Sequence, residues 1–288
     1  MAVTTAQLLT AMKEHSYYRT TALVLLLLLS SLPWGCSELN RVLEEHPCCE
    51  NERSALAEAT KLYNARVAQV TTSINILNET SARLTTNQQL LVNTINTFLG
   101  LPLTDASLRL LDLAIQRVTN EHNTLLTEIG LYEQSIALKY AAREQENNAR
   151  VALDACIRAN CVPKDSCCPD LKRSVQAAQL ALELINMKLQ DAEAHRAFLR
   201  AVEESYSRAF AAANVVYNRF CSGNPLVGVC IGAFNAKQLF VTYGAAIKAK
   251  KDQKDAQIAA YQAQIATAQT ALTQLQDDLT NCIAECPR

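Results

Sequence analysis

The sequence predicts an all-α protein: an elongated up-down four-helix bundle, or coiled-coil-like rod, with a disulfide-rich base and an apolar apical loop. Only 7 glycines and 7 prolines occur in 288 residues, whereas β-sandwiches, barrels and propellers need many turns. Most of these residues cluster at five places, and the long stretches between them place apolar residues at alternating spacings of three and four. Such spacing over many heptads is typical of long packed helices.

The first two helices are expected at about 50–99 and 104–158. In the first, ten of the thirteen seam positions counted from Leu56 to Phe98 hold large apolar residues. Gly100 and Pro102 should end this helix, because both residues disfavour its continuation. Thr104 is a suitable N-cap for the second helix. The second seam includes His122, which we expect to be a polar specificity residue in the core.

The third and fourth helices are expected at about 169–221 and 245–286. Pro169 suits the first turn of the third helix. At about 1.5 Å per residue, the first three helices are each about 75–80 Å long, and the fourth segment is similar when the apolar lead-in before it is included. Similar lengths with short connections favour antiparallel neighbours. Residues 38–288 are therefore expected to form a single elongated helical-bundle domain, with an apical apolar segment at 223–244.

The 11 cysteines are expected to form disulfides at the two ends of this bundle. With the first helix starting at the base, the topology places eight cysteines there: Cys48, Cys49, Cys156, Cys161, Cys167, Cys168, Cys282 and Cys286. Cys221 and Cys230 flank the connection at the apex. Even numbers at each end suit disulfides, although the spacing leaves the pairing open. A zinc site is the alternative, but the thiols between Cys156 and Cys168 lack paired C-x2-C spacing, so no metal is expected.

The amino-terminal residues 1–37 are expected to be a signal peptide or a hydrophobic N-terminal helix. Thr20–Ser37 carries no charge, and Lys13 and Arg19 precede its leucine-rich core. This apolar run is short for a membrane span of about 20 residues and suits a secretory signal. The Gly35-Cys36 pair resembles part of a lipoprotein signal, which is a further interpretation of this segment. The cysteine content favours an extracytoplasmic protein, secreted or at a cell surface, with a virion as a further setting.

The apical segment is the most apolar part of the predicted bundle, and its only formal charge is Lys237. Three interpretations stay open: a cap closed by a Cys221–Cys230 disulfide, a contact for a protein partner, and a tongue that enters a membrane. Exposed apolar patches usually mark interfaces. The candidate partner or membrane contacts are Leu226, Val227, Val229, Ile231, Phe234, Leu239 and Phe240.

Several function classes are disfavoured by the composition and by the motifs. The net charge of −1 weakens a nucleic-acid interaction, because phosphate binding needs a basic surplus. No nucleophile elbow, phosphate loop, HExxH motif or calcium loop occurs in the sequence, so neither catalysis nor a cofactor is expected. The basic run Lys248–Lys254 is expected to be a solvated helix start, and the alternative is a contact with anionic lipid or a partner beside the apolar apex.

These observations favour a non-enzymatic structural or assembly protein, such as a minor structural protein of a virion, a surface coat or a stalk. The alternative is a secreted or surface-anchored receptor or adhesin that binds through its apical loop. A third hypothesis is an α-helical pore-forming toxin with an apolar tongue. Protein partners are expected, either copies of this chain or other subunits, and a membrane contact could involve the amino-terminal segment or the apex.

Overall fold

The computed structural model describes residues 48–98, 104–161, 167–221 and 228–286. It consists of four long α-helices: α1 (Glu50–Phe98), α2 (Asp105–Asn160), α3 (Pro169–Phe220) and α4 (Gly228–Ala284). The described ranges contain no β-strand. The predicted all-α, up-down four-helix class is confirmed.

The chain divides into two compact units, Met1–Glu50 and Asn51–Arg288. In the first unit the description covers residues 48–50, where Cys49 adopts a left-handed backbone with a φ of 71°. The expected amino-terminal signal or helix at 1–37, and the boundary after Ser37, lie outside the described residues.

Side-chain pairs within the second unit establish that successive helices run in opposite directions. Arg83 and Thr60 of α1 contact Glu121 and Glu146 of α2, so the later residue of α1 meets the earlier residue of α2. The same inversion relates α2 to α3, where His122 meets Tyr206 and Lys139 meets Asp191. It also relates α3 to α4, where Arg196 meets Asp255 and Lys251 meets Glu203. We call the end where α1 and α3 finish apical, and the opposite end basal.

The helix starts follow local sequence chemistry. Thr104 caps α2 as predicted: its hydroxyl accepts from the Ser107 backbone N–H, while the Ser107 hydroxyl accepts from the Thr104 backbone N–H. Together these bonds satisfy two donors that have no partner inside the helix. Pro169 occupies the first turn of α3, after Cys168 in a left-handed conformation with a φ of 59°. Proline suits this position because the missing N–H has no intrahelical role there.

The start of α4 differs from the sequence prediction. This helix begins at Gly228 rather than near 245, so residues 228–244 of the expected apical segment are helical. The reason is that the buried seam of α4 continues upward through Phe240, Ala236, Ala233 and Cys230 at helical spacing. Gly232 lies within this part of the helix, where an added Cβ would overlap Leu111 Cδ2 of α2.

The main cluster of buried apolar residues occupies the apical half of the bundle, and α2 and α3 bury a few more towards the base, including Ala142, Leu153 and Leu180. Its members come from all four helices: Leu77–Ile95, Leu111–Tyr132, Leu199–Val216 and Ala233–Ile247. In the basal half, residues 50–76 of α1 and the described residues after Ile258 in α4 include none that is buried. Apolar burial is therefore concentrated at the apical end, and the basal half needs other interactions.

Disulfides supply part of that stabilisation. At the base, Cys167 is joined to Cys286 and Cys168 to Cys282, which ties the start of α3 to the end of α4. At the apex, Cys221 is joined to Cys230. The remaining described cysteines, Cys48, Cys49, Cys156 and Cys161, are also disulfide-bonded. This disulfide content is consistent with an extracellular protein.

None of the helices in the described ranges has a stretch both long enough and apolar enough to cross a bilayer.

Candidate functional site

The apical end exposes a set of large apolar side chains that we call the apical apolar surface. Each side chain belongs to the last turns of α1 or α3 or to the first turns of α2 or α4, and each residue is between 40% and 64% exposed. The members are Leu90, Leu108, Leu110, Leu113, Val215, Ile231, Phe234 and Val241. Leu90, Leu110 and Leu113 line one cavity together. Singly exposed hydrophobic residues are normal on a soluble protein, whereas grouped ones mark a candidate contact surface.

The α1–α2 side of this surface is concave. A cavity of about 200 Å³ lies between the two helices and is lined by Leu90, Thr94, Phe98, Leu110, Leu113 and Arg117, among others. Leu110 and Leu113 are off the buried seam, which passes through Leu111 and Ala114. One short stretch of α2 therefore packs one set of side chains inward and presents another set outward.

The α3–α4 side of the surface is built on aromatic and cationic contacts. The rings of Phe234 and Tyr217 lie 6.0 Å apart, centroid to centroid. The Lys237 ammonium lies 5.3 Å from the Tyr217 ring and 5.8 Å from the Phe210 ring, which are cation–π distances. The Cys221–Cys230 disulfide closes the connection between these helices. These contacts hold Phe234 in a defined position at the end of the bundle.

The sequence-predicted contact residues fall into three groups. Ile231 and Phe234 are exposed members of the apical apolar surface. Leu239 is half-buried against the core, and Phe240 is only 1% exposed. The assignment of Phe240 as a contact residue is therefore wrong, because its ring packs beside Tyr206 in the interior. Val229 lies in the first turn of α4, and Leu226 and Val227 lie outside the described residues.

Sequence reasoning missed most of the exposed apical residues. Leu108, Leu110 and Leu113 occur in a run, Ser107–Ile115, that places apolar residues on both the seam and the opposite face. These additional apolar residues could have predicted an exposed apolar surface, because a soluble amphipathic helix keeps its outer face polar. Leu90, Val215 and Val241 gave no comparable signal, because each lies directly beside a seam residue that is buried. Those buried neighbours are Leu91, Val216 and Phe240.

The bundle interior also contains two buried histidines, one in the apical core and one closer to the middle. His122 Nδ1 lies 2.7 Å from the Tyr206 hydroxyl, and its ring stacks on Tyr243 with centroids 3.8 Å apart. Burial lowers the pKa of His122 to about 4. A neutral imidazole with this partner is a structural polar contact in the core. His122 therefore lies on the buried seam, where the sequence placed it.

The prediction that the basic run Lys248–Lys254 is a solvated helix start is wrong, because α4 begins at Gly228 and this run lies inside the helix. Lys254 is only 9% exposed, and its ammonium lies 2.9 Å from a Glu133 carboxylate oxygen of α2. Lys251 pairs with Glu203 of α3 at 2.6 Å. The run is instead an electrostatic connection between α4 and its neighbours, and the four-residue spacing of Lys250 and Lys254 places both towards Glu133.

Comparisons of the chain with protein-family models, with curated proteins and with solved structures gave no match.

Proposed function

We propose that this protein is a non-enzymatic structural or assembly protein, a disulfide-stapled helical rod that contacts its partner through the apical apolar surface. The observation that carries the proposal is the grouping of eight exposed large apolar side chains at one end of the bundle. Burial of such a surface against a partner is favourable by about 25 cal/mol per Å² of apolar area. An extracytoplasmic setting, as a surface, stalk or virion component, is part of the same proposal and rests on the disulfides.

The partner proposed is protein, and a second copy of this chain is the first one to test. The α1–α2 groove is concave and apolar, while Phe234 and Ile231 project from the α3–α4 side of the same end. A two-fold contact can place the projecting side of one copy against the groove of the other, and the reverse.

The test is sedimentation velocity and light scattering of the full chain over a range of concentrations. Leu110→Ser with Leu113→Ser should shift association to higher concentration, and Phe234→Ser should do the same from the other side. Leu131→Ser with Leu138→Ser is the matched control, because these leucines are similarly exposed on α2 but lie away from the apex. Equal association of the apical and control variants would contradict the proposal, as would a strictly monomeric parent chain.

The second candidate function is a receptor or adhesin that binds an unrelated protein through the same surface. The α1–α2 groove favours it, since a concave apolar site accepts an apolar side chain of a partner. If the chain is monomeric and binds a protein from its native source, and if the Leu110→Ser and Leu113→Ser variant loses that binding, the receptor function is favoured over self-assembly. Dye leakage from liposomes, abolished by the same substitutions, would instead favour the pore-forming hypothesis.

A further inference from the structure

A second apolar surface runs along the side of the bundle, from the apical groove towards the base. It consists of six leucine and isoleucine side chains on α1 and α2, and each residue is between 38% and 55% exposed. They are Leu62, Ile76 and Leu90 of α1 and Leu110, Leu131 and Leu138 of α2. Neighbouring members on one helix are separated by 14, 21 or 7 residues, all multiples of seven. We name this set the lateral apolar strip.

The members of the strip lie on one side of their helices. In α2 every seventh residue from Leu111 to Leu153 is buried, so this helix keeps one stripe towards the core without rotational drift. Every member of the strip on α2 directly precedes a residue of this stripe. The equivalent stripe of α1 passes through Leu77, Leu84 and Leu91, and the members on α1 again hold the heptad position just before it. A shared heptad position places them on a shared flank of the helix.

On both helices this flank faces the outer groove between α1 and α2. Leu90 and Leu110 line one cavity between the two helices. The remaining members share the heptad position of these two leucines, so they face the same groove further down. Arg83 holds that position too, and its guanidinium reaches Glu121 of α2 at 3.2 Å.

The strip has three levels along the bundle. The contacts between α1 and α2 fix their antiparallel register and place Ile76 within about one turn of the height of Leu131. By the same register, Leu62 lies within about two turns of the height of Leu138. Leu90 and Leu110 form the apical level. At about 1.5 Å per residue, the three levels span about 42 Å of α1.

Two exposed charges lie beside the strip. Arg117 shares the heptad position of Leu110 and lines the apical cavity, while Glu79 lies one turn after Ile76 on the outer side of α1. Neither forms an ion pair within the described ranges. By the register of α1 and α2, Arg117 lies about 13 Å closer to the apex than Glu79. The groove therefore presents an unpaired cation and an unpaired anion in a fixed order.

The shape and the charges of the groove favour a single helix as its occupant. A groove between two antiparallel helices, apolar on both walls, accepts the side chains of a third helix. A second copy of the chain fits less well. A two-fold axis across the bundle at the Ile76 level would separate Arg117 of one copy from Glu79 of the other by more than about 20 Å. A two-fold axis along the bundle would instead place like charges opposite each other.

We propose that the lateral apolar strip binds one amphipathic α-helix of a partner protein. That helix is about 28 residues long and has apolar side chains at heptad spacing. It carries a carboxylate opposite Arg117 and an ammonium opposite Glu79. The proposal goes beyond the apical contact, because the middle and basal levels of the strip take no part in the apical apolar surface.

The test is fluorescence anisotropy of a synthetic helical peptide of about 28 residues, titrated with the full, oxidised chain. The peptide has leucine at the a and d positions of each heptad, alanine and glutamine elsewhere, and one glutamate about nine residues from one lysine. We expect saturable one-to-one binding with a dissociation constant below about 10 μM. A neutral peptide, with glutamine in place of the glutamate and the lysine, should bind about threefold more weakly. Arg117→Gln should weaken binding of the charged peptide alone.

Two double variants locate the binding site. Ile76→Ser with Leu131→Ser removes the middle level and should weaken peptide binding at least about tenfold. Val215→Ser with Val241→Ser is the matched control, because these valines are at least as exposed on α3 and α4, and it should leave peptide binding unchanged. Far-UV circular dichroism checks that both variants keep the helical fold.

Three results of the peptide titration would each overturn the proposal: no saturation up to about 200 μM, equal weakening in the two double variants, or equal affinity for the charged and neutral peptides. A dimer that is abolished by Ile76→Ser with Leu131→Ser would also overturn it, since a second copy would then occupy the strip. Apical association is measured by sedimentation without peptide and is tested by Phe234→Ser, so the two proposals fail independently.

Discussion

The Nδ1 atom of His122 lies 2.7 Å from the hydroxyl oxygen of Tyr206, and both residues are buried where α2 meets α3. Tyr243 of α4 stacks on the same imidazole, so one polar contact joins three helices inside an apolar core. A hydrogen bond in such surroundings fixes the relative height of the helices, because a shift along the helix axis would leave both groups unpaired.

Removal of the Tyr206 hydroxyl tests this contact. Tyr206→Phe should lower the free energy of unfolding by about 1–3 kcal/mol, because it leaves the buried His122 nitrogen without a partner. The measurement is urea unfolding followed by far-UV circular dichroism. Tyr243→Phe is the control, since it keeps the ring stacked on His122, and it should have a smaller effect. Equal losses in the two variants would show that the hydrogen bond adds nothing.

Acid should destabilise the protein through its buried histidines. The pKa values of His122 and His195 are lowered from 6.5 to about 4 by burial, and for His195 also by Lys254 and Lys250. Between pH 6.5 and about pH 4 the unfolded chain binds more protons than the folded chain. The free energy of unfolding therefore has its full value above pH 6.5 and decreases as the pH falls towards 4. Urea midpoints measured across pH 5–7 check this slope. It should flatten in the double variant His122→Gln, His195→Gln; an unchanged slope would assign the effect to other groups.

Glu146 should be the most important single charge in the basal half. Its carboxylate is buried, and it lies 2.7 Å from both Arg143 and Arg150 and 3.2 Å from the Thr60 hydroxyl of α1. Burial opposes its ionisation, but the hydrogen bonds and charges of Arg150 and Arg143 lower the pKa of Glu146 below its usual value. Glu146→Gln should cost about 3–5 kcal/mol, because breaking a buried ion pair leaves charges uncompensated.

A matched exposed pair gives the reference for that loss. Glu204 pairs with Arg200 on the surface of α3 at 3.1 Å, and Glu204→Gln should cost less than about 0.5 kcal/mol. Both stability losses are measured as shifts in the midpoint of unfolding by guanidinium chloride. If Glu146→Gln lowered the stability as little as Glu204→Gln, the contacts of Glu146 with Arg143 and Arg150 would be solvated rather than buried.

Two helical glycines should respond in opposite directions to alanine. A Cβ at Gly232 would overlap the buried Leu111 side chain, whereas a Cβ at Gly130 would meet nothing within 4 Å. Gly232→Ala should therefore lower stability by about 1–3 kcal/mol. Gly130→Ala should raise it by about 0.5–1 kcal/mol, because alanine has the higher helix propensity. Thermal unfolding of both variants gives the signs, and stabilisation by Gly232→Ala would show that α2 and α4 are further apart.

The two basal disulfides should be partly redundant. Cys167–Cys286 and Cys168–Cys282 each close a loop of more than 110 residues, but with one in place the other closes only a short additional loop. Replacing Cys168 and Cys282 by Ser should therefore cost about 2 kcal/mol. Replacing all four cysteines should cost about 7 kcal/mol, because the long loop, worth about 5 kcal/mol, is then released as well. The apical Cys221–Cys230 bridge, with a separation of 9 residues, should be worth about 3 kcal/mol. Denaturant unfolding of the three variants measures these losses, and additive basal losses would contradict the loop argument.

Much of the architecture follows from heptad spacing and from glycine and proline placement. Leu84 and Leu91 lie on the seam counted from Leu56, and Val118 and Leu125 are the seam positions on either side of His122. All four are buried in the core, because a sustained 3–4 spacing leaves one stripe of each helix to exclude water. The start of α4 was missed because Gly232 and Gly244 read locally as helix breakers. At Gly232 tertiary packing favours the helix despite the glycine, because the absent side chain leaves room for Leu111.

By itself the sequence determined the helical class, the order of the helices, the approximate lengths of α1, α2 and α3 and the placement of cysteines near helix ends, since these depend on local periodicity and topology. Only the tertiary structure decided which cysteines pair, and that Phe240 faces inward while Leu110 faces outward. It alone also brought Glu133, His195 and Lys254 together from three helices. The physical reason is that burial and electrostatic contact depend on which helix faces meet and at what height, and no single helix encodes either quantity.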